Sequence, residues 1–164
     1  MNRITHINLN DLSAENDNKT HENRKGFEYY RQNLVHRREG GQCIASIYEI
    51  PPNKSAYPYH YHTGNEECFY IIRGSGILRT PDGEKQVGAG DFLFFPTGAE
   101  GAHKLTNTSE TEMLAYLDFD TCNDIDVTFY PDSGKLGVWG KGVDRLYKMQ
   151  DNVDYYEGEG EDGE

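Results

Sequence analysis

No apolar run in this 164-residue chain approaches the roughly 20 residues that a membrane-crossing helix needs. The N-terminal stretch "MNRITHINLNDLSAENDNKT" also lacks the basic cluster and apolar core of a secretory signal. Cysteine is scarce: Cys43, Cys68 and Cys122 are widely spaced, form no Cys-x-x-Cys pair, and their odd number argues against a disulfide framework. A soluble, cytoplasmic protein in a reducing compartment is therefore expected. Basic residues are few, with 16 Lys and Arg against 28 Asp and Glu, for a net charge of −12. Residues 151–164 carry seven of those acids and no Lys or Arg, so the body is only mildly acidic. That balance excludes a phosphate-neutralising grip on nucleic acid, and an anionic membrane surface would repel it.

Helical periodicity is missing too. No segment of helical length carries an apolar face at three-to-four spacing. What is present is short runs of aromatic and β-branched residues, "FEYYRQNLV", "CIASIYEI", "ECFYII", "GILRT", "FLFFP" and "EMLAYLDFD", separated by Gly, Pro and Asp turns. Many short strands with polar turns imply an antiparallel sandwich or barrel, because each strand's apolar face must be covered by a second sheet or by closure. The length suits one domain. Residues 1–25 read as a polar arm with room for a helical turn near Asp11 to Glu15, and residues 26–121 as the barrel. Residues 122–150 read as an extension, with one further strand, that packs on the barrel or a partner. Residues 151–164 read as a disordered acidic tail.

The stretch "PYHYHTGNEECFYIIRGSG" places His60 and His62 two apart, so on a strand both side chains leave the same face about 7 Å apart. Glu67 follows after a Thr63-Gly64-Asn65 turn that can return its carboxylate to the imidazoles. His103 opens a later strand, "HKLTN". Imidazoles and a carboxylate around one centre suit a borderline divalent ion, Zn, Fe, Mn, Ni or Co, with room left for water or substrate. His-x-His alone is more often a solvated polar loop. Glu67 and a second histidine segment on neighbouring strands tip the balance toward one divalent metal per chain.

These residues resemble the two motifs of the cupin family, specifically a small single-domain, bacterial-type cupin. The first motif, Gly-x5-His-x-His-x3or4-Glu-x6-Gly, is met by His60, His62, Glu67 and Gly74. The second, Gly-x5-Pro-x-Gly-x2-His-x3-Asn, is met by Gly90, Pro96, Gly98, His103 and Asn107. There are two departures. Lys54 stands where the first Gly is expected, and "AEGA" puts four residues between Gly98 and His103 where two are usual. Gly101 gives that longer loop freedom to restore the register. The resemblance implies an all-β double-stranded β-helix, a jelly-roll-like barrel, with His60, His62, Glu67 and His103 as metal ligands. It also implies pairing into a homodimer, which would cover the outer edge of the aromatic-rich N-terminal strands.

Other residues are less decided. Parity sends Glu66 away from Glu67. Phe69 shares the face of Glu67 as pocket wall or ordinary core. Tyr57 is a hydrogen-bond donor, a proton-transfer group or packing, whereas Tyr59 and Tyr61 fit packing. Arg79 is a candidate for an anionic substrate group, and Asn107 is a pocket amide or, preferably, a turn stabiliser. Arg73 and "PDSGK" read as surface, and Trp139 as an anchor for the C-terminal segment. Function follows only coarsely: a metal-dependent protein acting on a small oxygen-rich molecule, foremost a sugar or sugar-phosphate isomerase or epimerase. The alternatives are an iron dioxygenase and a non-catalytic metal-containing binder of small molecules.

Overall fold

The computed structural model describes residues 6–8 and 19–160. The suggested turn near Asp11 to Glu15 and the last four residues of the acidic tail lie outside them. Among the described residues there is no α-helix and none long and apolar enough to cross a membrane; the regular structure is strand, apart from single 3-10 turns. The strands are β1 (Lys19–Arg24), β2 (Phe27–Val35), β3 (Cys43–Ile50), β4 (Tyr61–His62), β5 (Glu67–Arg73), β6 (Ser75–Thr80) and β7 (Gly83–Gly88). They continue with β8 (Phe92–Phe95), β9 (Lys104–Asn107), β10 (Leu114–Thr121), β11 (Ile125–Tyr130), β12 (Lys135–Gly140) and β13 (Val143–Lys148).

One layer is the six-stranded antiparallel sheet β1-β2-β3-β10-β5-β8. The other is made of β7-β6-β9 and β13-β12-β11-β4. Those two pieces meet where His60 and His103 exchange backbone hydrogen bonds of 3.1 and 2.9 Å. The apolar parity of each strand explains the interior. Tyr48 and Ile50, Leu114 and Tyr116, Phe69 and Ile71, and Phe95 from the large sheet meet Leu78, Val87 and Leu105 from the other. Ile71 is fully buried, and truncating it to Ala would cost about 2–5 kcal/mol.

The structure amends the sequence reading at both ends of the barrel. Residues 19–24, placed in the polar arm, form β1 and pair with β2 from Lys19 opposite Gln32 to Arg24 opposite Phe27. The outer edge of β2 is thereby covered within the chain. The single strand expected after residue 121 is instead a three-stranded antiparallel unit, β11 to β13, whose first strand pairs with β4 through Thr128 opposite His62. Weak apolar alternation in "IDVTFY" and "KLGVWG" hid these strands, because one face of β11 is polar for a reason that lies in the site.

Both departures from the family pattern are absorbed by the backbone. Lys54 needs no left-handed conformation, because the preceding Asn53 takes it at φ 58°, which an Asn tolerates. The longer "AEGA" loop folds as a 3-10 turn, Ala99–Gly101, closed by the Gly101 and Ala102 amides donating to the Gly98 and Ala99 carbonyls. A Cβ on Gly101 would lie 1.8 Å from the Pro96 carbonyl oxygen, so the close pass of the two segments requires glycine there.

Candidate metal centre

The seam between the two halves of the second layer presents His60, His62 and His103 toward Glu67, the first residue of β5 in the opposing sheet. The Nε2 atoms of His60, His62 and His103 lie 3.8, 3.5 and 3.2 Å from Glu67 Oε2. His60, His62 and Glu67 offer ligand atoms within 4.8 Å of one another, a group that could hold a metal ion. Strand alternation sends Glu66 to the exposed side.

Each imidazole is held by its other nitrogen. His60 Nδ1 donates to the Pro58 carbonyl at 2.8 Å and His103 Nδ1 to the Gly101 carbonyl at 2.9 Å. A carbonyl only accepts, so both rings carry their proton on Nδ1 and turn an Nε2 lone pair to the centre. His62 Nδ1 faces the Asp126 carboxylate, with Thr128 Oγ1 at 3.0 Å. Trp139 Nε1 in turn donates to Thr128 Oγ1 at 2.9 Å, and the Thr128 hydroxyl donates to Asp126 at 3.3 Å. Asp126 is fixed from its other oxygen by the amides of Gly64 at 2.8 Å and Asn65 at 3.3 Å. The polar face of β11 exists to orient His62, and Trp139 anchors its segment through this chain.

Among the described residues, Glu67 Oε2 and His103 Nε2 are sealed from solvent with no hydrogen-bond partner. Leaving such atoms unpaired costs on the order of 1–3 kcal/mol each. A cation at the focus of three lone pairs and a carboxylate removes the deficit, so the donor set fits a borderline divalent metal. The packing of these groups also shifts their ionisation. Burial pushes the Glu67 carboxyl up to about 8, against the pull of His62. Burial, aided by His62, lowers His60 to about 4, and burial beside His60 takes His103 well below the usual range. Of the three imidazoles only His62 moves upward: burial, the largest influence, lowers it, but the hydrogen bond to Asp126 together with the charges of Glu67, Asp126 and Asp120 outweighs that burial.

The surroundings differ on the two sides. Below the centre, Phe95 stacks on His103 at 3.7 Å between ring centres, with Phe69 at 5.4 Å and edge-on. Tyr57 stands 6.2 Å from the His60 ring and shares a 2.9 Å hydroxyl contact with Tyr48. The gap left among Tyr57, His60, Phe69, His103 and Tyr116 is about 10 Å³, barely one water. That end of the barrel is filled. Side-chain exposure rises from 2% at His103 to 18% at His62, so the centre opens on the His62 side. There the inner face of the large sheet is polar: Asp118 and Asp120 on β10, Ser46 on β3, and Arg31 and Asn33 on β2. The carboxylates of Glu67, Asp118 and Asp120 come within 4.8 Å of one another.

Of the residues singled out in the sequence, His60, His62, Glu67, His103, Phe69 and Tyr57 are brought together. Asn107 is fully buried, but its amide donates to the carbonyls of Ile50 and Glu112 and accepts from Ser109, which makes it a turn stabiliser. Arg79 is not at the centre: its guanidinium grips Asp132 with contacts of 2.6 and 2.9 Å and lies over the Tyr59 ring. Sequence reasoning missed Asp126, Thr128, Asp118, Asp120, Ser46 and Arg31. The signal for the aspartates was available, since in "LAYLDFD" Asp118 and Asp120 share parity with inward Leu114 and Tyr116.

Residues 46–119 match the family model described as a cupin domain. An uncharacterised protein of Aquifex aeolicus (strain VF5) is 30% identical over 93 residues, which cover 51% of this chain and 75% of that protein. The oxalate-binding protein of Thermotoga maritima is 31% identical over 65 residues, 40% of this chain and 51% of its own length. Among solved structures, a protein of Acidithiobacillus ferrooxidans ATCC 23270, provisionally named a sugar phosphate isomerase, is 28% identical with a TM-score of 0.73, over 87% of this chain and 94% of that one. The sugar phosphate isomerase of Silicibacter pomeroyi DSS-3 has a TM-score of 0.66 at 19% identity, over 77% and 82% of the two chains, a likeness of fold alone.

Proposed function

The chain belongs to the cupin superfamily, and from that premise we propose that it is a metal-dependent enzyme that isomerises or epimerises a small polyhydroxylated, sugar-like substrate. The observation that carries the reading is the set of three imidazoles, each locked by its Nδ1, whose Nε2 atoms face a Glu67 oxygen with no other partner. His60, His62, His103 and Glu67 would hold one divalent ion; when bound, it polarises a carbonyl or hydroxyl of the substrate as a Lewis acid.

The chain's own residues supply the rest. Moving a proton between adjacent carbons needs a group beside the reacting atoms that can take up and return it, a role that a carboxylate can fill. Asp118 and Asp120 stand on the inner face within 4.8 Å of Glu67 and meet that need by position. Phe69, Phe95 and Tyr116 exclude water from below, and Tyr57 closes the wall. The likeness to the Acidithiobacillus protein supports a sugar phosphate as substrate. The polar inner face of β2, β3 and β10 favours this class over an aromatic substrate for an iron dioxygenase. The filled lower barrel favours the non-catalytic binder as the second reading.

The test begins with elemental analysis of untagged protein, expected to show about one Zn, Fe, Mn, Co or Ni per chain. Isomerase assays on aldoses, ketoses and their phosphates follow, with Asp120→Asn expected to lose turnover while keeping metal. Folded protein that takes up none of these metals would overturn the centre. Metal-loaded protein that binds sugars without turnover would leave the binding protein.

A further inference from the structure

Arg31 is set apart from the other cations. Among the described residues only two arginines are not exposed, and Arg79 has Asp132 as its counter-ion. Arg31 lies on the inner face of β2 and makes no ion pair among the described residues, although the charges of Asp118 and Asp120 on β10 act on it through space. Its Nε donates to Ser46 Oγ at 3.2 Å, and Ser46 donates onward to Asn33 Oδ1 at 3.1 Å. The guanidinium carbon sits 5.5 Å from the centre of the Tyr48 ring. Nε and the ring therefore fix the plane of the fork, and its two amino groups have no acceptor among the described residues. Beside Ser46 in register is Asp118, also inward and buried, which shares a side-chain hydrogen bond with Asp120 and whose Oδ1 has no partner among the described residues. An oriented cation and a carboxylate thus stand near enough to act on each other's charge without forming an ion pair.

We propose that Arg31 is the residue that recognises a terminal oxyanion of the substrate, a phosphate or a carboxylate, while Asp118 takes a neighbouring hydroxyl. A fixed guanidinium binds such a group through two parallel N–H donors, which an ammonium cannot reproduce. With strands about 4.8 Å apart and residues about 3.3 Å apart along them, Ser46 and Glu67 are separated by two strands and one inward step. The oxyanion subsite is then on the order of 10 Å from the histidine centre. A small acyclic sugar acid or sugar phosphate spans that distance with its carbonyl end at Glu67. This inference rests on the polyhydroxylated-substrate reading and narrows it to an anionic one.

The test is calorimetric binding to cobalt-loaded protein of three matched four-carbon probes: erythritol, erythronate and erythritol 4-phosphate. The parent protein is expected to bind at least one of the two anions tenfold or more tighter than erythritol, and the stronger anion identifies the terminal group. Arg31→Gln should erase that preference with cobalt content and erythritol affinity unchanged. Arg31→Lys, which keeps the charge without the fork, should retain only part of it and decides the matter if the Gln variant does not fold. Equal binding of all three probes by the parent, or an anion preference that survives in Arg31→Gln, would overturn the assignment. Failure to load cobalt would strike the metal reading instead, because the same anion titration on metal-free protein still reports on Arg31.

Discussion

Replacing Asp126 with Asn should weaken metal binding without touching any ligand. The Asp126 carboxylate accepts on one side from the amides of Gly64 and Asn65 and on the other from His62 Nδ1. An Asn side chain has one oxygen and one NH2. Two backbone donors hold the oxygen toward Gly64 and Asn65, since turning the NH2 to them would oppose donor to donor. The NH2 then faces His62 Nδ1 and favours the tautomer with its proton on Nε2, aimed into the centre where a lone pair is needed. Losing the orienting partner of a ligating histidine typically costs 10–100-fold in affinity, about 1.4–2.8 kcal/mol. The backbone anchor survives, so thermal stability of the metal-free variant should stay close to that of the parent. The assay is chelator competition with zinc or cobalt at constant pH. A variant affinity within twofold of the parent would refute the tautomer argument, as would a loss matched by general unfolding.

Three further outcomes follow from the same geometry. Glu67→Ala should lower metal affinity by more than about 100-fold, whereas exposed Glu66→Ala should match the parent; chelator titrations that reverse this order would put the register of β5 off by one. In chelated protein, melting temperature should fall as pH rises from about 6.5 toward 8, because Glu67, raised to about 8, and His62, also raised, hold protons in the folded state that the unfolded chain releases. His60 and His103, both lowered, act with the opposite sign below about 6.5, so a flat profile above that pH would count against the burial of Glu67. Finally, Phe94, Cys68 and Phe119 line up on the outer face of the large sheet, next to Phe92 and Tyr70, and Phe92 and Phe94 are 65% and 53% exposed. Pairing of two copies through this face would give a dimer by light scattering at micromolar concentration, and Phe92→Glu with Phe94→Glu should yield a monomer; a monomeric parent excludes it.

The parts of the fold that rest on local chemistry were legible in the sequence. Strand alternation in "ECFYII" and "CIASIYEI", the Gly and Pro-Asp-Gly turns, and the His-x-His spacing each depend on residues close in the chain. The histidines could be placed together because two spacings, one around His60 and one around His103, pointed to the same centre. What escaped depends on pairing across long separations. Asp126 and Thr128 are 64 and 66 residues from the His62 nitrogen that they serve, and nothing in "IDVTFY" announces which strand it will lie beside. Arg79 misled for the converse reason. A guanidinium reads as a candidate for a substrate carboxylate or phosphate, and only the fold shows Asp132, 53 residues away, already in its grip.

The division has a consequence for how this site acquires its chemistry. His62 on β4, His60 and His103 in the bridge beside it, and Glu67 at the start of β5 meet where the two layers face each other, so their convergence follows from the fold itself and says little about substrate. The groups able to tell one substrate from another, Arg31, Ser46, Asp118 and Asp120, lie on the inward rows of long strands whose outward partners hold the sheet together. A change at one of these positions alters what the mouth recognises while leaving strand pairing and the imidazole anchors intact. The Arg31→Gln and Asp126→Asn variants separate the two layers of control. The first should change which molecule binds with the metal kept, the second how tightly the metal is held with the preference for anions kept. If both variants changed both properties together, the inner face and the metal centre would be one cooperative unit, and the polar rows of β2, β3 and β10 would have to be read as structural support for Glu67.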